Sequence, residues 1–252
     1  MLYRVGVGLL DCVKVIMEAI RLNKYLSEKG ICSRREADRL IENGEVLIDG
    51  AVAEMGQKVL PGQKVEVKGQ KVKDESEKQI LLLVNKPKGI ICTSSEKEHP
   101  NIIEFLNYKT RIYPIGRLDK DSRGLLLMTN QGDLVNKIMR ARNYHEKEYI
   151  VTVDKEITAD FISRMKSGIY LKELDETTRP CKVKKISKST FSIILTQGLN
   201  RQIRRMCEAC GYRVRDLQRI RIMNLKIDGI KEGSYRKIDK DELNKLLRML
   251  GE

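Results

Sequence analysis

The sequence predicts an α+β protein of two domains: a small N-terminal α/β module and a larger domain built on a mixed sheet. Three observations carry this prediction. Strand-like and helix-like patterns follow one another with no strict strand–helix–strand rhythm. A polar, charge-mixed stretch, residues 69–79, separates two regions of apolar patterning and reads as a linker. The 252 residues allow two domains, and 41% hydrophobic content with no Trp and three Phe makes the core aliphatic.

Residues 1–19 form an N-terminal extension. They are fairly apolar, but Arg4, Asp11, Lys14 and Glu18 make them too charged to span a membrane, and no small-residue cleavage site follows. Met17 is an alternative start. In the first domain, residues 20–68, Leu22 and Leu26 share one face of a short helix that Gly30 can end. Ser33 and Glu36 have capping-box spacing, so a second helix starts at Ser33 and buries Ala37, Leu40 and Ile41. Val46 to Val52 reads as a hairpin with Asp49-Gly50 at its turn. Pro61-Gly62 marks another turn, before a closing strand at Val65 and Val67.

The second domain spans residues 80–248. Ile80 to Asn85 is a continuous apolar run, as expected of a strand buried on both faces. Lys86-Pro87-Lys88-Gly89 turns the chain. A loop from Gly116 to Gly124 leads into a second central strand, Leu125 to Met128. Leu134, Val135, Ile138 and Met139 fit one helix face, and Phe161, Ile162 and Met165 another. Glu148 to Val153 is strand-like, and Phe191, Ile193 and Leu195 alternate as in a half-buried strand. A helix runs from Asn200, as its cap, to Cys210, and Gly211 stops it.

Lys and Arg total 49 against 35 acids, a formal net charge of +14. Such a balance points to a polyanionic partner such as nucleic acid, and not to a membrane. The six cysteines show no disulfide framework, which fits reduced thiols in the cytoplasm. Cys207-x-x-Cys210 lacks a second ligand pair, and the two histidines, His99 and His145, do not supply one. It reads as two small apolar residues on a helix, so no metal is expected.

Three local groups bear on chemistry. Asp119 sits in a Gly-bounded, Arg-rich loop. From the residues alone it reads first as a turn aspartate paired with Arg117 or Arg123, and second as a reactive carboxylate. Lys147-Glu148-Tyr149 opens a strand, where Tyr149 is either a half-buried core residue or a platform for a base. Seven arginines lie between residues 201 and 221, a density suited to phosphates or buried carboxylates. In the first domain, Arg34 and Arg35 occupy the first turn of a helix, where the macrodipole disfavours cations. Contact with RNA explains them better than a surface ion pair does.

Arg21-Leu22-Asn23-Lys24-Tyr25-Leu26, Ser33-Arg34-Arg35-Glu36-Ala37, Val46 to Gly50 and Pro61-Gly62 together resemble an S4 RNA-binding domain. That resemblance implies RNA contacts by Lys24, Arg34 and Arg35. Gly116-Arg117-Leu118-Asp119 with Ser122-x-Gly124-Leu125-Leu126, then Lys147-Glu148-Tyr149, then Asn200 to Glu208 resemble the successive motifs of RNA pseudouridine synthases, in the branch that includes RsuA, RluB, RluE and RluF. Residues 1–16 lie outside it.

The resemblance implies isomerisation of uridine to pseudouridine in ribosomal RNA, with transfer RNA a second candidate, and with neither cofactor nor metal. It implies Asp119 as the essential aspartate, Tyr149 stacking on the uracil and Arg204 pairing with the catalytic carboxylate. Ile203 would line the uracil pocket, and Arg117 would contact phosphate or fill the space left by the flipped uridine. Arg201 and Arg205 are expected to bind RNA phosphate, and the protein to act as a monomer. The alternative is a non-catalytic S4-type RNA-binding or ribosome-assembly protein.

Overall fold

A computed structural model describes residues 19–73, 79–95, 97–139 and 144–251. They fall into two compact units, 19–73 and 79–251. Residues 1–18, which hold most of the expected extension, lie outside the described residues.

In the first unit a short strand, β1 (Ile20–Arg21), leads into α1 (Leu22–Glu28) and α2 (Arg34–Glu42). Leu22 and Leu26 are buried, as their spacing predicts. Ser33 caps α2 by accepting a 3.1 Å hydrogen bond from the Glu36 backbone N–H, and Ala37, Leu40 and Ile41 form its buried face. The strands are β2 (Val46–Ile48), β3 (Ala51–Val52), β4 (Lys58–Val59), β5 (Val65–Val67) and β6 (Gln70–Lys71), with sheet order β3-β2-β5-β6 and β1 paired to β4. Asp49 and Gly50 both have positive φ, 51° and 84°, the geometry that lets an Asp-Gly pair match strand twist. Lys68 and Gly69 do the same at 51° and 75°. Residues 69–71, read from composition as the start of a linker, therefore turn back, and Gln70 and Lys71 pair with Val67 and Glu66.

The second unit runs β7 (Leu81–Lys86), α3 (Ile102–Leu106), β8 (Tyr113–Ile115), β9 (Arg123–Thr129), α4 (Gly132–Met139), β10 (Lys147–Val153) and α5 (Ala159–Ser167). A small hairpin follows, β11 (Tyr170–Leu171) with β12 (Glu176–Thr177). The remainder is β13 (Lys182–Lys185), β14 (Thr190–Leu195), α6 (Gln202–Ala209), β15 (Val214–Ile222), β16 (Leu225–Lys226), β17 (Tyr235–Lys237) and α7 (Lys240–Leu250). Nine strands form one mixed sheet, ordered β13-β14-β10-β15-β9-β7-β17, with β16 on β15 and β8 on β9. The pair β9–β15 is parallel, with Gln218 opposite Arg123 and Arg219 opposite Gly124.

Both faces of the central strands are covered, which explains their unbroken apolar runs. Leu81, Leu83, Leu125 and Leu127 enter one core with residues of α4 and α7. Leu82, Val84, Leu126 and Met128 enter another with residues of α3. A third core packs β10, β14 and β15 against α5 and α6. Helix α6 begins later than its sequence suggests. Arg201, in left-handed conformation (φ 50°, ψ 31°), occupies the cap position, because Asn200 gives its carbonyl and side-chain oxygens to Arg205.

Candidate active site

The Asp119 loop leaves β8 at Gly116 and enters β9 at Arg123. Gly116 has φ +73°, and a Cβ there would lie 2.5 Å from the Met139 terminal methyl. Gly124 has φ +106°, and a Cβ there would lie 2.3 Å from the Arg219 carbonyl oxygen. Only glycine allows β9 and β15 to approach so closely at the end of the loop.

Two buried cations hold the loop backbone from beneath. Lys86, fully buried at the end of β7, donates to the carbonyls of Pro87 (2.9 Å), Asp119 (3.3 Å) and Ser122 (2.8 Å). Burial pulls its ammonium pKa below the ordinary lysine value. Arg219, buried in β15, donates to the carbonyls of Leu125 (2.7 Å) and Arg117 (3.4 Å). A turn hydrogen bond from Ser122 N–H to Asp119 O (3.0 Å) and one from Gly89 N–H to Lys120 O (2.7 Å) complete the support. Three ordinary loop carbonyls thus satisfy the Lys86 charge and gain a fixed orientation in return.

The Asp119 side chain is one-third exposed and faces two arginines of the α6 start. Arg201 Nη1 lies 3.5 Å from its Oδ2, and Arg204 Nε lies 3.9 Å away. Arg204 is held more tightly by the neighbouring turn, with its Nη2 3.2 Å from Asp121 Oδ2, 3.1 Å from Asp121 O and 3.2 Å from Ser122 Oγ. Arg201 also reaches both Asp121 oxygens at 3.3 Å. Burial works against ionisation of Asp121, but the Arg201 hydrogen bond and the charges of Arg204 and Arg201 outweigh it, so its pKa lies below the usual carboxylate value. The two arginines therefore bridge two aspartates; the resemblance implies Arg204 beside Asp119, while the sharing with Arg201 and Asp121 has no counterpart in the sequence reading. Neither loop arginine named as a turn partner pairs with Asp119. Arg123 is turned away, with Nε 3.2 Å from both oxygens of Asp216 and Nη2 2.8 Å from one, and Arg117 is exposed at the rim.

Above Asp119 opens a cleft of about 350 Å³. Asp119, Arg117, Tyr149, Ile203 and Arg201 all line it. Ile203 is buried, and half-buried Tyr149 packs against two of the three cores. Lys147 and Arg219 stand in the same wall; the sequence reading gave neither a role in the site. Arg205 faces elsewhere, onto Asn200 and Glu173. Lys24, Arg34 and Arg35 belong to the first unit, where Lys24 lies 3.6 Å from Glu28 and both arginines are exposed at the start of α2. Cys207, fully buried in α6, has its thiol pKa pushed up to about 12 by burial, as expected of a packing residue.

The RNA pseudouridylate synthase family model matches residues 80–209, and the S4 domain model matches residues 20–65. The chain is 53% identical to the dual-specificity RNA pseudouridine synthase RluF of Escherichia coli (strain K12), over 92% of this chain and 80% of that protein. It is 37% identical to the ribosomal large subunit pseudouridine synthase B of Bacillus subtilis (strain 168), over 90% of this chain and 95% of that one. A crystal structure of a pseudouridylate synthase superposes with a TM-score of 0.67 at 27% identity, covering 90% of this chain and 99% of that one. With its catalytic-domain match, its S4 match and its likeness to these relatives over about nine-tenths of the chain all in agreement, the chain belongs to the RNA pseudouridine synthase family.

Proposed function

We propose that this enzyme isomerises a uridine of 23S ribosomal RNA, flipped into the Asp119 cleft, and that Asp119 acts at its ribose. One observation carries the assignment: Asp119 is the carboxylate of the cleft, set between an arginine pair, a half-buried tyrosine and an apolar wall. A glycosidic bond inside a stacked helix is out of reach, so the base must leave the stack. Tyr149 offers it a new stacking face, and Ile203 an apolar edge. Arg201 and Arg204 set two positive charges beside the Asp119 carboxylate and orient it. The C1′–N1 bond breaks with its electron pair on the base. The base turns within the cleft, C5 bonds to C1′, the C5 proton departs, a step in which Tyr149 assists, and N1 takes up a proton in its place. Substrate and product are isomers, so no electrons are gained or lost and no redox cofactor is needed.

Arg117 at the rim, and Arg201 once an RNA phosphate competes for it, contact the backbone, while Lys24, Arg34 and Arg35 bind structured RNA through the S4 domain. Arg205 is a weaker candidate, since Glu173 and Asn200 already occupy it. The printed name of the Bacillus relative supports large-subunit RNA as substrate, and "dual-specificity" in the Escherichia coli name supports testing transfer RNA beside it. The enzyme is proposed to act as a monomer in the cytoplasm, where its RNA substrate is found. Purified protein should release tritium from 5-tritiated uridine in ribosomal RNA without added metal. Asp119→Asn should abolish release while RNA binding survives; an active variant would remove Asp119 from the reaction.

A further inference from the structure

Lys147 is a long cationic side chain in a place where cations are rarely left. It is 5% exposed, at the first position of β10, and it lines the cleft two residues before Tyr149. Residues i and i+2 of a strand share a face, so Lys147 and Tyr149 look into the same space. Among the described residues its ammonium has no hydrogen-bond or ion-pair partner. Lys86, equally buried, shows the contrast, with three carbonyl oxygens within 3.3 Å. The next cation in the wall, Arg219, spends its hydrogen bonds on carbonyls, and its Nη2 has no partner either. The carboxylate of the cleft, Asp119, already faces Arg201 and Arg204. This wall therefore carries positive charge with no protein anion to balance it.

We infer that Lys147 is a further catalytic residue, whose ammonium stabilises the negative charge that develops on the uracil when its bond to the ribose breaks. The electron pair of the C1′–N1 bond leaves on N1 and spreads onto the uracil carbonyl oxygens. Lys147 donates a hydrogen bond to that anion and keeps its proton. The charge disappears again when C5 bonds to C1′. A fixed cation in a partly dry cleft favours the charged state over neutral bound uridine, which is the condition for lowering a barrier. The inference rests on the reading that uridine occupies the Asp119 cleft.

The ammonium form is the active one. Burial first, and then the charge of Arg219, lower its pKa to about 8. The other groups facing it are Arg117 and Asp119 from the loop, Arg201 and Gln202 from the α6 start, Gln197 after β14, and Tyr149 from its own strand; Leu195 and Met139 are apolar. Single-turnover rates on a ribosomal RNA fragment test the idea. Lys147→Met should lower kcat about 100-fold, as loss of one donor to a developing anion does, with KM little changed. Wild-type kcat should fall as pH rises through about 8. Lys147→Met should show no such fall, and Lys147→Arg should restore part of the rate and move the fall to higher pH. Fluorine at C5 makes uracil a better leaving anion, so 5-fluorouridine consumption, followed by nucleoside mass spectrometry, should suffer less from Lys147→Met than uridine does. An unchanged kcat, an Arg variant no faster than Met, or equal losses on the two bases would each overturn the role of Lys147. Activity of Asp119→Asn, by contrast, would sink the placement of uridine in this cleft.

Discussion

Lys147→Met should make the protein more stable even as it makes the enzyme slower. The ammonium of Lys147 is buried without a counter-charge, and its pKa falls from the ordinary 10.5 to about 8. At about 1.4 kcal/mol per tenfold change in proton affinity, that fall corresponds to about 3 kcal/mol of cost to the folded state near neutral pH. Methionine is of similar length and would sit beside the cross-strand residues Leu195 and Ile222, so the substitution removes the cost without opening a cavity. Between pH 8 and 10.5 the unfolded chain holds the lysine proton and the folded chain has released it, so wild-type stability rises with pH through this window. Urea unfolding at pH 7 and pH 9.5 is the assay. The variant should gain up to about 3 kcal/mol at pH 7, with a smaller gain at pH 9.5. A variant that is less stable at pH 7, or a gain that does not shrink with pH, would refute the view of Lys147 as a desolvated, unbalanced cation.

Three further outcomes are expected. Gly124→Ala drives a Cβ to 2.3 Å from the Arg219 carbonyl at φ +106°, so it should cost more than about 3 kcal/mol in chemical unfolding and abolish tritium release; a stable, active variant would mean that β9 and β15 can separate freely. Asp216→Asn should lower stability at pH 7 by about 1 kcal/mol, allowing for its partial exposure. Burial opposes its charge, but Arg123 and Lys88 lower its pKa to about 2, so the wild-type advantage should be present above the ordinary value of 3.8 and lost as pH falls through about 2 in acid titrations. Arg34→Ala with Arg35→Ala should weaken RNA binding and reduce the slope of log K against log salt by about one per lost phosphate contact; an unchanged slope in filter binding would take both residues off the RNA.

Periodicity revealed the elements that bury one or both faces. The β7 and β9 runs, the helix faces of α2, α4 and α5, and the alternation of β14 all fold as their apolar spacing dictates. Strand β15 was hidden, because arginines at 215, 219 and 221 break its apolar pattern; two of them are consumed inside the protein, Arg219 on carbonyls and Arg221 on Glu146 and Glu148. Helix α7 carries a capping box of Asp239 and Glu242 that escaped notice in a strongly charged stretch. The motif residues Asp119, Tyr149 and Ile203 share one cleft, but their meeting depends on pairing between β9, β10 and β15, which no local spacing encodes. Lys86 is the clearest loss. A lysine closing an apolar strand looks like an edge into solvent, and only the returning loop, 33 residues later, turns it into an interior ligand of carbonyls.

The support of the Asp119 loop comes from both sides of it in sequence. Lys86 is made before the loop, but Arg219 follows Arg117 by 102 residues. At ordinary synthesis rates that interval lasts about 5 to 20 s. For about the last two-thirds of it, a growing chain already carries Asp119, Tyr149 and the S4 domain, beside the ribosome's own RNA, without the strand that fixes the loop. The support of the loop is thus completed only when the last central strand, β15, has been translated.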